Sequence, residues 1–346
     1  MAATASWHSS GSSPGVKSCT CPVCQQASIQ DGPCGTGSCG INVTDTTDLF
    51  IAGSADRAAG VGAVLGAFDL SGLGGSSVAI KANFNSADPF PASTHKDTLD
   101  ALCRTILAQK PTRLTLAERS GMGITRDVLD RTGVLALAKR RKFNVVALDE
   151  MDRTGWQEIQ APGLHWSRGF FLAAAFTRTD HVVQTCCLKT HRFGGHFSLS
   201  LKNAVGCVAR TVPGVNYDFM NELHTSPRQR SMIAEIGKFL PTGLVVLDAT
   251  EGFASGGPDK GKLIQPGVVI AGTDRVAIDA AGVALLRSYG TVPDVANGKI
   301  FALEQIARAA ELGIGIASAD KIRLVALDDS GEAAAQKIRE QLDKDI

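Results

Sequence analysis

Short apolar runs alternate with longer amphipathic stretches along most of this chain, and this alternation constrains its fold more than any other feature. Residues 48–52 (DLFIA) and 77–82 (SVAIKA) are apolar runs bounded by turn residues, which is typical of buried strands. The clearest helical pattern starts at Ser93 or Thr94, either of which can cap a helix, and continues to about residue 109. Nearly continuous apolar strands that alternate with helices favour a mainly parallel, doubly wound α/β sheet with helices on both faces.

The remaining elements follow the same alternation. We predict further strands at residues 113–117, 144–148, 181–185, 244–247 and 322–326, and further helices at residues 55–68, 134–142, 275–289, 296–312 and 331–342. Residues 1–47 are rich in Ser, Gly and Cys and lack hydrophobic periodicity, so we expect an irregular arm there. The α/β domain would then occupy residues 48–346, either as one unit or as two lobes with a boundary near residues 150–180.

Charge and composition argue against two classes of partner. The 346 residues contain 35 Lys and Arg against 34 Asp and Glu, so no basic excess is left to neutralise nucleic-acid phosphates. The chain has no run of about 18 uninterrupted apolar residues, and we therefore expect no membrane span. Its first residues (MAATASWHSSGSSPG) contain neither a cation nor an apolar core, which predicts a cytoplasmic protein without a secretory signal.

Polar side chains collect just after several of the predicted strands. Ligands of open α/β sheets bind outside the carboxyl ends of the strands, so we expect these side chains to share a site. The alternative is that loops are polar in general, and that an aspartate after a strand is simply a helix N-cap. The candidate residues are Lys81, Asn83, His95, Glu118 and Asp248.

The segment 188–203 (LKTHRFGGHFSLSLKN) is the densest in such groups. Lys189 and Lys202 could bind an anionic substrate, Asn203 could fix it by a hydrogen bond, and His191 could transfer protons or ligate a metal near neutral pH. A basic surface turn is the alternative. No GxxxxGK[ST] loop is present and no strand leads into GxGxxG, so we expect no nucleotide cofactor.

Five of the nine cysteines lie close together in the N-terminal arm: Cys19, Cys21, Cys24, Cys34 and Cys39. Thiolates at CxxC spacing suit tetrahedral zinc or an iron–sulfur cluster. A cytoplasmic location favours metal over disulfides, because thiols there stay reduced. Disulfides and a tail with incidental thiols remain alternatives.

Six segments of the chain, taken in order, carry a family resemblance: IKANFNS, STHKDTL, LAERSG, CLKTHRFGGHFSLSLKNAVG, VVLDATEGFASGGPDKG and VIAGTDRVAIDAAG. Together they resemble the domain of unknown function 362 family over about residues 48–330. The resemblance implies an α/β domain of unassigned activity that is often associated with iron–sulfur clusters. Lys81-Ala82-Asn83 stands where the family usually has Lys-Pro-Asn, and no CxxCxxCxxxCP run is present, so the cysteines of the arm are the candidates for a cluster.

These observations support more than one function. The first is an enzyme that acts on a small anionic substrate in a strand-end cleft, where the lysines bind the anion, the histidines transfer protons or ligate a metal, and Glu118 or Asp248 orients a histidine or accepts a proton. Glu222 and His224 (NELH) are further candidates for this cleft. A cluster on the cysteines would make the enzyme an oxidoreductase, and a metal-assisted isomerase is the other reaction considered.

The alternatives belong to different classes. One is a metal-binding carrier or accessory protein whose cysteine-rich arm receives or delivers the metal. The other is an assembly subunit whose arm packs on a neighbour, because an arm without its own core becomes ordered through such contacts or through bound metal. We expect a homo-oligomer or a larger assembly.

Overall fold

A computed structural model describes residues 46–160 and 162–345 of the chain. Its strands are β1 (Thr47–Gly53), β2 (Ser77–Lys81), β3 (Arg113–Glu118), β4 (Asn144–Ala147), β5 (Trp156–Ile159), β6 (Phe170–Ala173), β7 (His181–His191), β8 (His196–Ser198), β9 (Thr242–Ser255), β10 (Lys262–Ile264), β11 (Val268–Gly272) and β12 (Ile322–Ala326). Its α-helices are α1 (Arg57–Leu65), α2 (Lys96–Ala108), α3 (Thr125–Arg131), α4 (Val134–Arg141), α5 (Ala174–Thr177), α6 (Ser200–Asn203), α7 (Phe219–Thr225), α8 (Gln229–Ile236), α9 (Arg275–Ser288), α10 (Pro293–Ala296), α11 (Glu304–Glu311) and α12 (Asp329–Leu342).

The main sheet has the strand order β12-β1-β11-β9-β7-β2-β3-β4. β7 lies parallel to both β9 and β2, and the parallel pairing continues through β3 to β4. β11 runs antiparallel to its neighbours β1 and β9, while β8 and β10 form antiparallel hairpins with the ends of β7 and β9. The predicted α/β fold with a mainly parallel sheet is therefore confirmed.

Two hydrophobic cores lie on opposite faces of this sheet. Successive strand residues point to opposite faces, so Val182 and Val245 join one core while Val183 and Val246 join the other. The larger core packs against helices that include α8, α9, α11 and α12, and the smaller core packs against α1 to α4. Helices thus cover both faces, as predicted.

The two central strands extend further than their apolar runs predict. β7 does not end near Thr185 but continues to His191, because β8 and β9 supply main-chain partners on both sides. Lys189, for example, lies opposite Ser198 on β8 and Phe253 on β9. Lys189 and His191 are therefore strand residues and share the rigidity of the sheet.

The predicted helix at residues 296–312 is wrong over its first half. α10 ends at Ala296, Gly298 adopts a left-handed backbone conformation with φ 71°, and α11 begins only at Glu304. A left-handed residue interrupts a right-handed helix, and glycine adopts that conformation without a steric penalty.

The segment between β4 and β7 carries a separate two-stranded antiparallel sheet, formed by β5 and β6. Trp156 and Phe170 of these strands belong to the larger core of the main sheet. The lobe boundary near residues 150–180 remains a prediction. In residues 46–160 and 162–345, no helix is long and apolar enough to cross a membrane.

Candidate functional site

A cleft of about 830 Å³ lies at the carboxyl edge of the main sheet. β2 ends at Lys81, β3 ends at Glu118, and β7 carries Lys189 and His191 in its last three residues. These three strands are parallel neighbours with β2 in the middle, so their carboxyl ends meet at one edge. The predicted residues that line the cleft are Lys81, Asn83, Glu118, Lys189, His191, Lys202 and Asn203, and the further candidate His224 lines it as well.

Lys81 and Glu118 form a buried ion pair at the base of the cleft. Their charged atoms, Lys81 Nζ and Glu118 Oε1, are 2.7 Å apart, and both side chains are almost fully buried. Lys81 Nζ also donates to the carbonyl of Ala82 (2.5 Å) and to Asn203 Oδ1 (3.1 Å). Gly206 gives the pair its space, since a Cβ there would lie 2.7 Å from Lys81 Cε. All three ammonium protons of Lys81 thus have acceptors.

Lys189 is held in a similar way, but by uncharged oxygens. Its Nζ donates to Asn83 Oδ1 (2.8 Å), to the carbonyl of Pro91 (3.1 Å) and to the carbonyl of Ala92. Burial lowers the pKa of the Lys189 amine. Asn83 Nδ2 donates in turn to Asn203 Oδ1 (3.4 Å), so the two asparagines connect the Lys189 site to the Lys81 site. The three acceptors hold the Lys189 side chain in one orientation.

Lys202 differs from the other two lysines. Across residues 46–160 and 162–345, its amine has no hydrogen-bond acceptor and no ion-pair partner, although its side chain is mostly shielded from solvent. Burial, the guanidinium of Arg119 and the ammonium of Lys189 together lower the pKa of Lys202 to about 8. The cleft thus contains an amine whose pKa lies about one unit above neutral pH and which no residue of the described part of the chain holds.

Two histidines line the same cleft. His191 is buried and its Nδ1 has no partner in the described part of the chain. Burial, assisted by the charges of Lys202 and Lys189, lowers the pKa of His191 well below its usual value, so the ring is neutral at pH 7. His224 Nδ1 lies 2.6 Å from the carbonyl of Met220. Because a carbonyl can only accept, Nδ1 of His224 carries the proton and the neutral ring leaves Nε2 as a proton acceptor.

Gly195 brings His191 and Lys202 close to the same stretch of backbone. A Cβ at Gly195 would lie 3.0 Å from His191 Nδ1 and 3.1 Å from Lys202 Cε, which is closer than a side chain normally allows. The neighbouring Gly194 has φ 77°, a left-handed conformation within the turn that connects β7 to β8. Gly195 thus permits the close approach of two side chains of the site to the backbone.

Residues with no role in the sequence-based site also line the cleft. Arg119 is buried, and its guanidinium donates to the carbonyls of Val208 (2.7 Å) and Val205 (3.1 Å). Its position directly after Glu118, in the segment LAERSG, was the only indication in the sequence that Arg119 belongs to the site.

Three large apolar side chains at the cleft are unusually exposed: Met122, Ile124 and Phe193.

The cleft carries an excess of positive charge. Five cationic side chains and three carboxylates line it. Glu118 is paired with Lys81, and Asp218 is paired with Arg210 near the mouth. The third carboxylate belongs to Asp149, which accepts from a main-chain N–H. The cations Arg119, Lys189 and Lys202 form no ion pair with a carboxylate of the described residues.

Three predicted candidates do not line this cleft. His95 caps the start of α2, where its Nδ1 accepts from the N–H of Asp97. Asp248 lies within β9 and accepts from Thr98 (2.5 Å), and the guanidinium of Arg57 is 3.4 Å from its carboxylate. The third candidate, Glu222, accepts from a main-chain N–H outside the cleft. β7 lies between β9 and β2 in the sheet, so the polar residues of β9 are one strand further from Lys81 than those of β7.

The predicted metal ligands lie outside the described residues. These are Cys19, Cys21, Cys24, Cys34 and Cys39. Within residues 46–160 and 162–345, no group of three or more His, Cys, Asp or Glu side chains could hold a metal ion, and the four cysteines there are buried and free. Zinc or an iron–sulfur cluster, and the carrier function that would depend on it, therefore remain predictions about the arm.

Comparison with known proteins places the chain in a family. No curated protein matches it. Among solved structures, it is similar to the structure of the lactate racemase apoprotein from Thermoanaerobacterium thermosaccharolyticum, with 11% identity, a TM-score of 0.43 and coverage of 84% of this chain and 85% of that chain. A family model described as "Domain of unknown function (DUF362)" matches residues 78–284, which is more than half of the chain, and the protein therefore belongs to this family.

Proposed function

We propose that this protein is an enzyme that binds a small anionic substrate in the cleft at the carboxyl edge of the sheet and transfers a proton to or from it. One observation carries the proposal: the Lys202 side chain, whose amine has no partner among the described residues, and the buried, neutral ring of His191 both lie close to Gly195. Perturbed titratable groups that converge in a cleft are typical of active sites.

The charges of the cleft favour an anion as its ligand. Lys189, Lys202 and Arg119 contribute positive charge that no described carboxylate neutralises. A carboxylate or phosphate group of the substrate would supply the missing negative charge, in surroundings where water screens the interaction poorly. Lys189 and Arg119 are already fixed by carbonyl oxygens, so they hold their charge in place before the substrate arrives.

The neutral histidines supply proton transfer. A proton acceptor must be unprotonated at the working pH, and the lowered pKa of His191 meets this condition. Burial also lowers the pKa of His224, whose Nε2 is the free acceptor atom. Two histidine rings that can accept a proton in one cleft fit a reaction of one particular kind. In it, a proton is removed from a carbon or oxygen atom next to the anionic group of the substrate and is later returned to such an atom.

Glu118 and the two asparagines position the lysines. Glu118 forms an ion pair with Lys81, while Asn203 links Lys81 to Asn83 and donates through Nδ2 to the carbonyl of Thr185 (3.2 Å) on β7. This network connects β2, β3 and β7 across the floor of the cleft. Its role in the proposal is to keep the cationic groups in fixed positions, which lowers the reorganisation required on binding.

The apolar side chains at the cleft indicate the character of the rest of the substrate. Met122, Ile124 and Phe193 are about half exposed or more, although the Phe193 ring also contacts the His191 ring edge-on. We assign them to a contact with the hydrocarbon part of the substrate, beside the anionic group that the cationic side chains of the cleft attract. Oxidoreductase activity through a cluster on the arm cysteines is a separate proposal that depends on residues outside the described part.

Calorimetric titration of the full-length protein with glycolate, pyruvate and inorganic phosphate tests the proposal. We expect at least one of these anions to bind, and to bind about tenfold or more weakly to Lys202→Met, because a charge-assisted contact is lost. Lys238→Met, at an exposed lysine away from the cleft, is the matched control and should bind like the wild type. Equal affinity of wild type and Lys202→Met, or no binding of any of the three anions, would overturn the proposal.

A further inference from the structure

The three lysines of the cleft differ in what their nitrogens contact. Lys81 and Lys189 each donate to three oxygen atoms, which uses every proton of an ammonium group. Such a nitrogen has no lone pair to offer and no direction open to a ligand. The Lys202 nitrogen has no such contact with any residue of 46–160 or 162–345, yet it lines the same cleft. A ligand can therefore reach it directly.

The backbone that carries Lys202 is firmly anchored. α6 begins where the N–H groups of Ser200 (2.8 Å) and Leu201 (3.2 Å) donate to the buried carboxylate of Asp279 on α9. The Ser200 hydroxyl also donates to Asp279 (2.6 Å). These bonds fix the start of α6 against the core, so Lys202 is presented to the cleft from a fixed position although its own amine is unrestrained.

The surroundings of the Lys202 amine disfavour its charged form. The charged groups that act on it are Arg119 and Lys189, both positive, and the neutral rings of His191 and His224 face the same space. No carboxylate is among these groups. Cationic neighbours and burial lower the pKa of Lys202 to about 8. Desolvation beside another cation is a known way to activate a lysine as a nucleophile.

We propose that Lys202 is a nucleophile that forms an imine with the carbonyl group of a small anionic aldehyde or 2-oxo acid. The inference rests on the proposed function and narrows its substrate to an anionic carbonyl compound. The positive charges of Lys189 and Arg119 attract the carboxylate or phosphate of this substrate into the cleft, where its carbonyl carbon can meet the free amine.

The reaction balances without a further reactant. The amine nitrogen forms a bond to the carbonyl carbon, the carbon–oxygen bond breaks, and the oxygen leaves as water together with the two amine protons. Protonation of the imine makes it an electron sink, so that a proton on the adjacent carbon becomes acidic. Neutral His191 is the acceptor for that proton, which gives the cleft a complete route for proton transfer at carbon.

Reductive trapping tests the inference. The full-length protein is incubated with glyoxylate or pyruvate and cyanoborohydride near pH 7.5, and the modified lysines are identified by peptide mass spectrometry. The expected products at Lys202 are carboxymethyl-lysine and carboxyethyl-lysine. At this pH a pKa of about 8 leaves roughly a quarter of an amine unprotonated, against roughly 0.1% for an ordinary lysine. We therefore expect Lys202 to react about tenfold or more faster than the exposed Lys238.

The matched variants separate this inference from the proposed function. Lys202→Met should abolish the cleft adduct, whereas Lys238→Met should leave it unchanged. The pH dependence of Lys202 acetylation by a small anhydride gives a readout without substrate, with an expected midpoint near pH 8. If glycolate or phosphate binds but Lys202 is trapped no faster than Lys238, imine formation is overturned and the proposed function stands. If no anion binds either, both fail.

Discussion

Lys81 Nζ and Glu118 Oε1 are 2.7 Å apart at the ends of two neighbouring parallel strands, with both side chains nearly inaccessible to solvent. The Glu118 carboxylate also accepts from the main-chain N–H groups of Phe84 (3.1 Å) and Arg119 (3.0 Å). One carboxylate therefore organises a lysine and the two loops that follow β2 and β3. The floor of the cleft depends on this contact.

Removal of Glu118 should destabilise the protein strongly. Glu118→Ala leaves the buried ammonium of Lys81 without its counter-charge, and we expect a loss of about 3–5 kcal/mol in the free energy of unfolding, measured with urea. Lys81→Met/Glu118→Leu removes both charges and should be clearly more stable than Glu118→Ala. Equal stability of the single and double variants would show that the ion pair does not determine the effect.

His191 should affect activity far more than stability. Its Nδ1 has no hydrogen-bond partner among the described residues, so His191→Ala removes no hydrogen bond made by that atom. We expect His191→Ala to lose the proposed proton-transfer activity, and the pH dependence of the remaining rate to lose any step that is due to a histidine. The melting temperature should stay within a few degrees of that of the wild type. A large fall in the melting temperature would instead identify His191 as a structural residue.

Acid should weaken the wild-type protein through His191. The pKa of His191 is lowered well below its usual value by burial, so the unfolded state binds a proton that the folded state does not. The contribution of His191 to the free energy of unfolding is therefore constant above the unfolded-state pKa of about 6.5. Below that pH the free energy of unfolding falls, by up to about 1.4 kcal/mol per pH unit. His191→Phe should show a flatter dependence than wild type between about pH 5 and 6.5. Parallel curves for the two proteins would contradict the assignment.

Gly195→Ala should disturb the cleft without unfolding the chain. Its Cβ would lie 3.0 Å from His191 Nδ1 and 3.1 Å from Lys202 Cε, so both side chains must shift. We expect anion affinity to fall about tenfold, measured by calorimetry. Gly62→Ala is the control, because Gly62 lies on an exposed face of α1 with open space around it, and the change should stabilise that helix by about 1 kcal/mol. Unchanged anion affinity in Gly195→Ala would remove Gly195 from the site.

The five cysteines of the arm lead to a separate prediction about the metal content of the protein. We expect protein purified without oxygen to contain iron or zinc, and a variant with serine at the five arm cysteines to lose it. Elemental analysis and the visible spectrum distinguish the two metals. Anion binding in the cleft should be the same in both proteins, because the residues to which we assign anion binding all lie in the described part of the chain. Metal that persists in the variant would place its ligands elsewhere.

The sequence predicted the sheet because its signals are local. Most residues of the runs 77–82 and 113–117 are buried, and an apolar pattern records burial directly. Lys81 lies near the end of the first run and Glu118 directly follows the second, so their place at a strand end could be predicted as well. The extension of β7 to His191 could not, because the partners of Lys189 on β8 and β9 are supplied by other parts of the chain.

The composition of the cleft was decided by strand order, which no single sequence displays. Asp248 carries a local signal similar to that of Glu118, yet it lies on β9, which is separated from β2 by β7, and its carboxylate meets Arg57 instead. His95 follows β2 but caps the start of α2. Arg119 gave little signal, since its burial depends on the carbonyls of Val205 and Val208, far along the chain. The sequence by itself determined which apolar runs enter the sheet, through burial and periodicity. Only the tertiary structure decided which lysine is left free, because that depends on the acceptors that distant segments bring to each nitrogen.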